Sequence, residues 1–566
     1  MWLPLTCLVL VGLSFNNEAA LAQVPLNPGR ILLPPQRPQP VPTPAPLPEP
    51  GLEIQPVPPA PSQLPPSGAA ITVERFEFAG NTAFSTEELA KVVESFTGRP
   101  LTFAELLGAE QAITQYYTER GYINSGAVIP AGQAFAPRDA VVKILIIEGG
   151  LEDIQVQVEG RLQPEYIRSR LALATERPFN RNKLLEALQL LQLNPLVQSI
   201  SAELAAGPNP ESSLLIVSVK EADTFSGELF TDNGRVRSIG AWERGLRINQ
   251  ANLLGFGDGF TFDYANSDGS NALSGAYTIP LNPRNGTLRL SGQYNSTYVI
   301  EQPFDQLDIN GDSFYGDLTY RQPVIQTPSQ ELALGITASY ASSQTTLQGV
   351  GFPLSPGSNQ DGQTKIAALR FSQDWTQRGS QDIFSALSRF SWGLGLFGAS
   401  VNNVPPDGRF FDWLGQAQYA RLLAPDTLFV ARSALQLTTD PLVPLEQITL
   451  GGLNTVRGYR QDFFLTDNGL FASLEVRLPI LRVEEISGLL QIVPFADLGV
   501  GWNDSENPIP TPNPNTLLSV GLGLLWQMDD RLSARLDWGV PLTRFQVEGN
   551  TLSQQSLYFS VNWKLF

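Results

Sequence analysis

The stretch Leu532-Ser533-Ala534-Arg535-Leu536-Asp537-Trp538-Gly539-Val540 sorts its residues by parity. Leu532, Ala534, Leu536, Trp538 and Val540 fall on one face of an extended chain. Ser533, Arg535, Asp537 and Gly539 fall on the other, because successive strand side chains point in opposite directions. The pattern recurs between Phe225 and Phe566. Across 470–478, Leu470, Ala472, Leu474, Val476 and Leu478 oppose Ser473, Glu475 and Arg477. Across 287–294, Leu288 and Leu290 oppose Arg289, Ser291 and Gln293, and the last segment sets Leu557, Phe559, Val561, Trp563 and Leu565 against Ser560, Asn562 and Lys564.

Such alternation fits a half-buried soluble sheet or a membrane barrel with a wet lumen. The segments are about the 9–11 residues that a tilted strand needs to cross hydrocarbon. Aromatic residues sit near segment ends, where an interfacial girdle belongs. The region lacks helical periodicity that could cover a large open sheet, and in lipid only closure satisfies every edge N–H. The expectation for 224–566 is a transmembrane antiparallel β-barrel.

Upstream, the texture differs. Residues 1–22 read as a signal peptide, with the short apolar core Leu8-Val9-Leu10-Val11-Gly12-Leu13 and Ala20-Leu21-Ala22 before the cut. Residues 23–70 are a proline-rich tether, with 17 prolines between 24 and 66. Proline fixes φ and lacks an N–H, so the expectation is an extended spacer without helix or sheet, from which residues 36–50 could be removed at little cost. Two units of one design follow, at 71–149 and 150–223. Each reads β-α-α-β-β, an α+β module of two helices on a three-stranded sheet. Capping boxes at Ser85 with Glu88 and at Thr102 with Glu105 open the helices of the first. Leu184, Leu188 and Leu191 share a face of the last helix in the second.

Composition narrows the function. The 566-residue chain has no His, its one Cys lies in the leader, and its formal charge is -18. Zinc and thiol chemistry are thereby removed, and a nucleic-acid binder would need a basic face instead. No phosphate-binding loop is legible, so no cofactor and no nucleotide hydrolysis are expected.

The residue 450–459 stretch, Leu-Gly-Gly-Leu-Asn-Thr-Val-Arg-Gly-Tyr, ends in Val456-Arg457-Gly458-Tyr459. Further on, Phe495-Ala496-Asp497-Leu498-Gly499 is an F-x-D-x-G whose Phe495 and Asp497 lie opposite the apolar Ile492, Ala496, Leu498 and Val500. An Arg facing lipid at the bilayer midplane would cost about 2–4 kcal/mol, so a lumen partner is favoured. At an effective dielectric near 20, a close Arg–Asp pair attracts by up to about 4 kcal/mol before desolvation.

These motifs and this module order resemble the TpsB transporters of two-partner secretion, of the haemolysin-activator and filamentous-haemagglutinin type, in the superfamily that includes the BamA insertase. Ala79-Gly80-Asn81-Thr82, Tyr117 to Gly121-Tyr122 and Glu148-Gly149 resemble the family's POTRA module; Asp232-Asn233-Gly234, Asn252 to Gly257-Asp258 and Tyr277 to Pro280 resemble its early barrel strands. The resemblance implies two periplasmic POTRA modules and about sixteen strands, or about 21 residues per strand with its connection. It implies that VRGY lies on the sixth extracellular loop, folded into the barrel with Arg457 on Asp497. It further implies export of a large TpsA-like exoprotein captured by the POTRA modules, with outer-membrane lipid around the barrel and no catalytic residue or metal. A BamA-like insertase is the alternative, although its usual relatives carry three or more POTRA modules. Two departures from the family stand out. Residues 23–70 offer no plug helix of useful length, and Phe566 lies one residue beyond the apolar phase held by Leu565.

Overall fold

The computed structural model describes residues 28–35, 44, 51–54, 71–133, 139–206, 212–545 and 552–566. The signal peptide read at 1–22, and most of the proline run, lie outside these residues.

After a short strand, β1 (Gly51–Ile54), the first module comprises β2 (Ile71–Ala79), α1 (Thr86–Val92), β3 (Pro100–Leu101), α2 (Phe103–Glu119), β4 (Gly126–Val128) and β5 (Ala140–Ile147). Both capping boxes form, so Ser85 and Thr102 each satisfy an orphan helix N–H. The helices bury Leu89, Leu106, Ile113 and Tyr117 against Val73, Val142 and Ile144 of the sheet. Three separated family-like pieces meet at Glu148, which is buried. Its carboxylate accepts Thr82 N at 2.7 Å, Ala83 N at 2.8 Å, Tyr117 Oη at 3.0 Å and the Thr82 hydroxyl. That explains why the first-strand turn, the helix tyrosine and the closing glutamate belong to one pattern.

The second module runs β6 (Gly150–Glu159), α3 (Pro164–Ala172), α4 (Arg181–Gln192), β7 (Val197–Ala206) and β8 (Ser212–Glu221). Leu184, Leu188 and Leu191 pack on Leu215, Val217 and Val219. This module is seated on the barrel's turns. Arg161 Nη2 donates to Asn252 O at 2.7 Å, Gln163 N to Gly255 O at 2.7 Å, and Asn252 Nδ2 to Glu221 Oε1 at 2.6 Å. The buried Asn252 and Asp258 shape that turn, and Tyr277 donates to Asp258 Oδ2 at 2.7 Å.

Sixteen strands, from Phe225–Asp232 to Leu557–Lys564, close into an antiparallel barrel in which chain neighbours pair; a two-residue strand, Val350–Gly351, folds onto one of them. The first and last strands share only five register pairs, from Asp232↔Ser560 to Glu228↔Lys564. Asn233 extends this seam by donating to Leu557 O and accepting Phe559 N, each at 2.8 Å. Leu290, Leu318, Ile336, Leu536 and Trp538 point outward, as their parity requires. Strands reach 18 residues at Ile309–Gln326 and Gln330–Leu347, longer than the alternating segments indicate. Eighteen residues exceed the about 9–11 that a tilted strand needs to cross hydrocarbon, and at one end of this pair Asn310, Asp312, Ser342 and Gln344 replace the apolar face.

Two sequence expectations are corrected. The tether was expected to hold no helix or sheet, yet Pro28–Leu32 forms a 3-10 turn and β1 pairs in parallel with β7, Gly51↔Ser201 to Ile54↔Leu204. The turn places proline first, where no N–H is needed, and β1 occupies a proline-free gap in the run. Ile31 and Leu32 are buried against Ile239 in the barrel, while Ser313 Oγ donates to Leu32 O at 2.8 Å and Arg235 Nη1 to Leu33 O at 3.2 Å. The described residues on either side of 36–50 are thus both held, Pro28–Leu32 against the barrel and Gly51–Ile54 on β7. Phe566 does not need the apolar phase, because the strand stops at Lys564 and the ring stacks on Phe225 with centroids 5.1 Å apart, over Gly227.

Burial raises the Glu148 pKa, but hydrogen bonds from Thr82, Ala83 and Tyr117 outweigh it and hold the group below its usual range. Its contribution is complete above the unfolded value of about 4.3 and is lost as pH falls through the lower folded value. Urea melts of residues 71–221 should therefore weaken from about pH 7 to about pH 3, and Glu148→Gln should melt earlier at the higher pH with a shallower pH slope. An unchanged slope in Glu148→Gln would contradict this assignment.

Candidate functional site

Among connections on the side of the barrel away from the modules, residues 439–467 form the sixth, between Thr427–Thr438 and Asn468–Val483. Inside it Ile448–Leu450 and Phe464–Thr466 pair as a small hairpin. The loop is folded into the lumen, and the VRGY motif lies at its buried turn. Arg457 is 1% exposed.

Its guanidinium meets the inner wall from several strands. Nε and Nη2 donate to Asp497 Oδ2 and Oδ1, both at 2.8 Å, the two-pronged geometry of an Arg–carboxylate fork. The backbone N of Arg457 also donates to Asp497 Oδ2 at 3.1 Å. Nη1 donates to Glu475 Oε2 at 3.2 Å and Nη2 to Ser473 Oγ at 3.2 Å, while Asp537 Oδ1 is 3.7 Å from Nη1. The guanidinium carbon lies 3.5 Å from the centroid of the Phe495 ring. Arg477 and Arg535 brace the same carboxylates: Arg477 Nη2 to Glu475 at 2.9 Å, Arg535 Nη2 to Glu475 at 2.8 Å and Arg535 Nε to Asp537 at 2.7 Å. Three guanidiniums thus interleave with three carboxylates. Removing one partner from such a buried set strands a charge, typically at a cost of about 3–5 kcal/mol, whereas an exposed pair is worth about 0–1 kcal/mol.

The other motif residues shape the approach. Val456 is fully buried and packs on Leu450 and Leu517; a Cβ at Gly499 would lie 2.8 Å from its Cγ2, so glycine leaves it room. Gly458 has φ 102°, a left-handed conformation that favours glycine, and its N lies 2.6 Å from where a Cβ on Gly539 would sit. Tyr558 bridges next to it, receiving Gly458 N at 3.2 Å and donating to Tyr459 O. The Tyr459 hydroxyl donates to Leu518 O at 2.8 Å and accepts Leu518 N and Thr543 N at 3.2 and 3.1 Å, bridging the two chain segments next to Pro541. Its ring joins Phe463 and Phe545.

The structure therefore brings together all seven residues of the two motifs: Val456, Arg457, Gly458, Tyr459, Phe495, Asp497 and Gly499. Sequence reading missed Ser473, Glu475, Arg535, Asp537, Gly539 and Tyr558. Ser473, Glu475, Arg535, Asp537 and Gly539 sit on the polar parity of segments already recognised as strands. Which lumen residues face Arg457 depends on cross-strand register, as in Ser473↔Asp497, and that is not local information. The N-terminal turn touches the same loop, since Arg30 Nη2 donates to Phe463 O at 2.6 Å. Burial, then Arg460, pull Arg30 down to about 10 against the attraction of Asp462, so it remains charged.

The family model described as haemolysin secretion/activation protein ShlB/FhaC/HecB matches residues 211–525. The chain belongs to that family. A ShlB-type POTRA model matches residues 71–149. Among curated relatives, the heme/hemopexin transporter protein HuxB of Haemophilus influenzae is 22% identical over 460 residues, 78% of each chain. The outer membrane transporter CdiB of Escherichia coli O6:K15:H31 is 22% identical over 567 residues, covering 95% of this chain and 90% of its own. Among solved structures, CdiB from Escherichia coli superposes with TM-score 0.69 at 19% identity, covering 89% and 92% of the two chains. BamA from Haemophilus ducreyi lacking POTRA domains 1–3 gives 0.50 at 15% identity, covering 88% and 100%. At these identities the structural likeness shows the fold. With the family match, it makes the chain an outer-membrane transporter of the two-partner type with its POTRA region in the periplasm. The resemblance drawn from VRGY and the module order is thereby borne out.

Arg457→Ala should abolish or severely reduce export while the barrel stays in the membrane. Asp497→Ala should match it, the double variant should be little worse than either, and Arg457→Lys should also be impaired because it loses the fork. Partner protein in the medium, normalised to heat-modifiable barrel, checks this. Additive single defects would contradict the pairing, and wild-type export by both singles would contradict the anchor.

Proposed function

We propose that this transporter captures its large secreted partner as an extended strand on the β7 edge of the second module and passes it through the barrel, acting as a pore and not as an enzyme. The observation that carries this reading is β1. The chain's own residues 51–54 lie in parallel on β7, covering four positions of a ten-residue strand. An edge that accepts one extended peptide has the unpaired N–H and C=O groups to accept another, and alternate side chains supply selectivity. Leu52 packs against the core of the second module, so an incoming strand would need an apolar residue at that place.

Displacement also has a mechanical consequence. β1 and the Pro28–Leu32 turn belong to one tether, so a partner that takes the β7 edge releases one of the two places where that tether is held. The Arg457 cluster keeps the sixth loop seated meanwhile, as a fixed part of the pore wall. Tyr459 and Tyr558 brace that seat from neighbouring strands.

The edge is tested by tying it shut. Leu52 and Ala202 are register partners, and with Cys7 the chain's only natural cysteine, Leu52→Cys with Ala202→Cys forms a single disulfide. Export should stop in the oxidised protein and return on reduction. Normal export with the disulfide quantitatively formed would overturn the edge as the capture site.

A further inference from the structure

The sixth loop touches the wall a second time, in its leading stalk. Leu442 and Val443 are fully buried against Ala341, Ile366, Ala368 and Phe410. Beside them both carboxylate oxygens of Glu446 accept Arg370 Nη2, at 2.7 and 3.0 Å. Arg370 stands on the lumen side of the strand Gln363–Arg378, with Nε on Ser339 Oγ and Nη1 on Ser391 Oγ, each at 3.0 Å. The pair is largely buried, at 14% and 7% side-chain exposure.

Two details separate this contact from the Arg457 cluster. Leu445, next to Glu446, packs both on the stalk's own cluster and on the one that holds Ile31 and Leu32. The stalk therefore clamps the N-terminal turn. The second detail is Asp412, in the strand Phe411–Ala424, opposite Ser391 in the ladder and 1% exposed. Neither of its oxygens has a donor in full hydrogen-bonding geometry among the described residues; Arg389, then Arg370, attract it, and the Ser391 hydroxyl is its one neutral donor nearby. A buried carboxylate so thinly held, beside an arginine that is engaged elsewhere, is costly unless it has a use.

We infer that Arg370–Glu446 is a releasable latch on the plug, with Asp412 as the carboxylate that receives Arg370 when Glu446 leaves. Breaking a buried ion pair ordinarily strands a charge in the wall. Here the arginine exchanges partners, so the stalk swings off the N-terminal turn without leaving an unpaired cation. Arg457, gripped by several wall groups, keeps the loop's tip in place while the stalk moves. One loop thus has a fixed end and a switching end.

The inference rests on the reading of the barrel as an export pore, but its test needs no partner protein. Full-length protein is reconstituted in planar lipid bilayers, and barrel folding is checked by heat modifiability. Glu446→Gln and Arg370→Gln should each raise the open fraction about tenfold, and the double variant should open no more than either. The charge swap Arg370→Glu with Glu446→Arg should return the channel to its closed level, which a merely structural role would not do. In the Glu446→Gln background, Asp412→Asn should cut the opening back, because Arg370 then has no carboxylate to move to. A Leu33→Cys reporter should react faster with an impermeant maleimide in Glu446→Gln than in the parent. Closed channels in both single variants, or a swap that opens as freely as they do, would overturn the latch. Opening as expected in a chain that exports no partner protein at all would leave the latch standing and count against the pore reading instead.

Discussion

A single guanidinium, fully withdrawn from water, sets the terms for this molecule. Arg457 sits at the tip of a loop that also buries Leu442, Val443, Leu450, Val456, Phe463 and Phe464; apolar packing is non-directional, so directed bonds fix where the tip docks. The fork on Asp497, the bonds to Glu475 and Ser473, and the Phe495 ring at 3.5 Å supply them. Each partner is placed by strand parity and ladder register. The barrel must therefore close with the right register before the loop can dock, and the docked loop in turn ties several of its C-terminal strands together.

The same geometry links the membrane part to the soluble part. The first module folds around its own glutamate. The second is seated on the barrel's turns through Arg161, Gln163 and Asn252. One tether then reaches both compartments of the machine, with β1 on the β7 edge and the Pro28–Leu32 turn beneath the sixth loop. Proline disfavours helix and sheet, and the four residues that pair on β7, Gly51–Ile54, contain none.

Much of this was legible in the sequence, for physical reasons that differ by element. The strands of the barrel announce themselves because lipid and water impose opposite demands on adjacent residues, as at Leu536 and Asp537. The helices of the modules are bounded by capping boxes at Ser85 and Thr102, which are local chemistry. Arg457 and Asp497 stand out because each is embedded in a short motif. Glu475, Asp537 and Tyr558 carry no such mark. Their role arises only when strands distant in sequence come into register. The docked turn at Pro28–Leu32 was illegible for a related reason: its stability comes from Ile239, Ser313 and Leu445, and composition alone describes the tether as a spacer.

The central claim is that Arg457 works by position, holding the loop tip against the wall. Val456 and Gly499 offer a covalent substitute, because a Cβ at Gly499 comes within 2.8 Å of Val456 Cγ2, a spacing compatible with a disulfide once both residues are cysteine. Val456→Cys with Gly499→Cys is therefore placed in the export-deficient Arg457→Ala background, and secretion is measured under oxidising and reducing conditions. If the loop's position is what matters, export recovers when the disulfide forms and is lost on reduction. Quantitative cross-linking without any recovery would show that the guanidinium itself does something that holding the loop cannot replace.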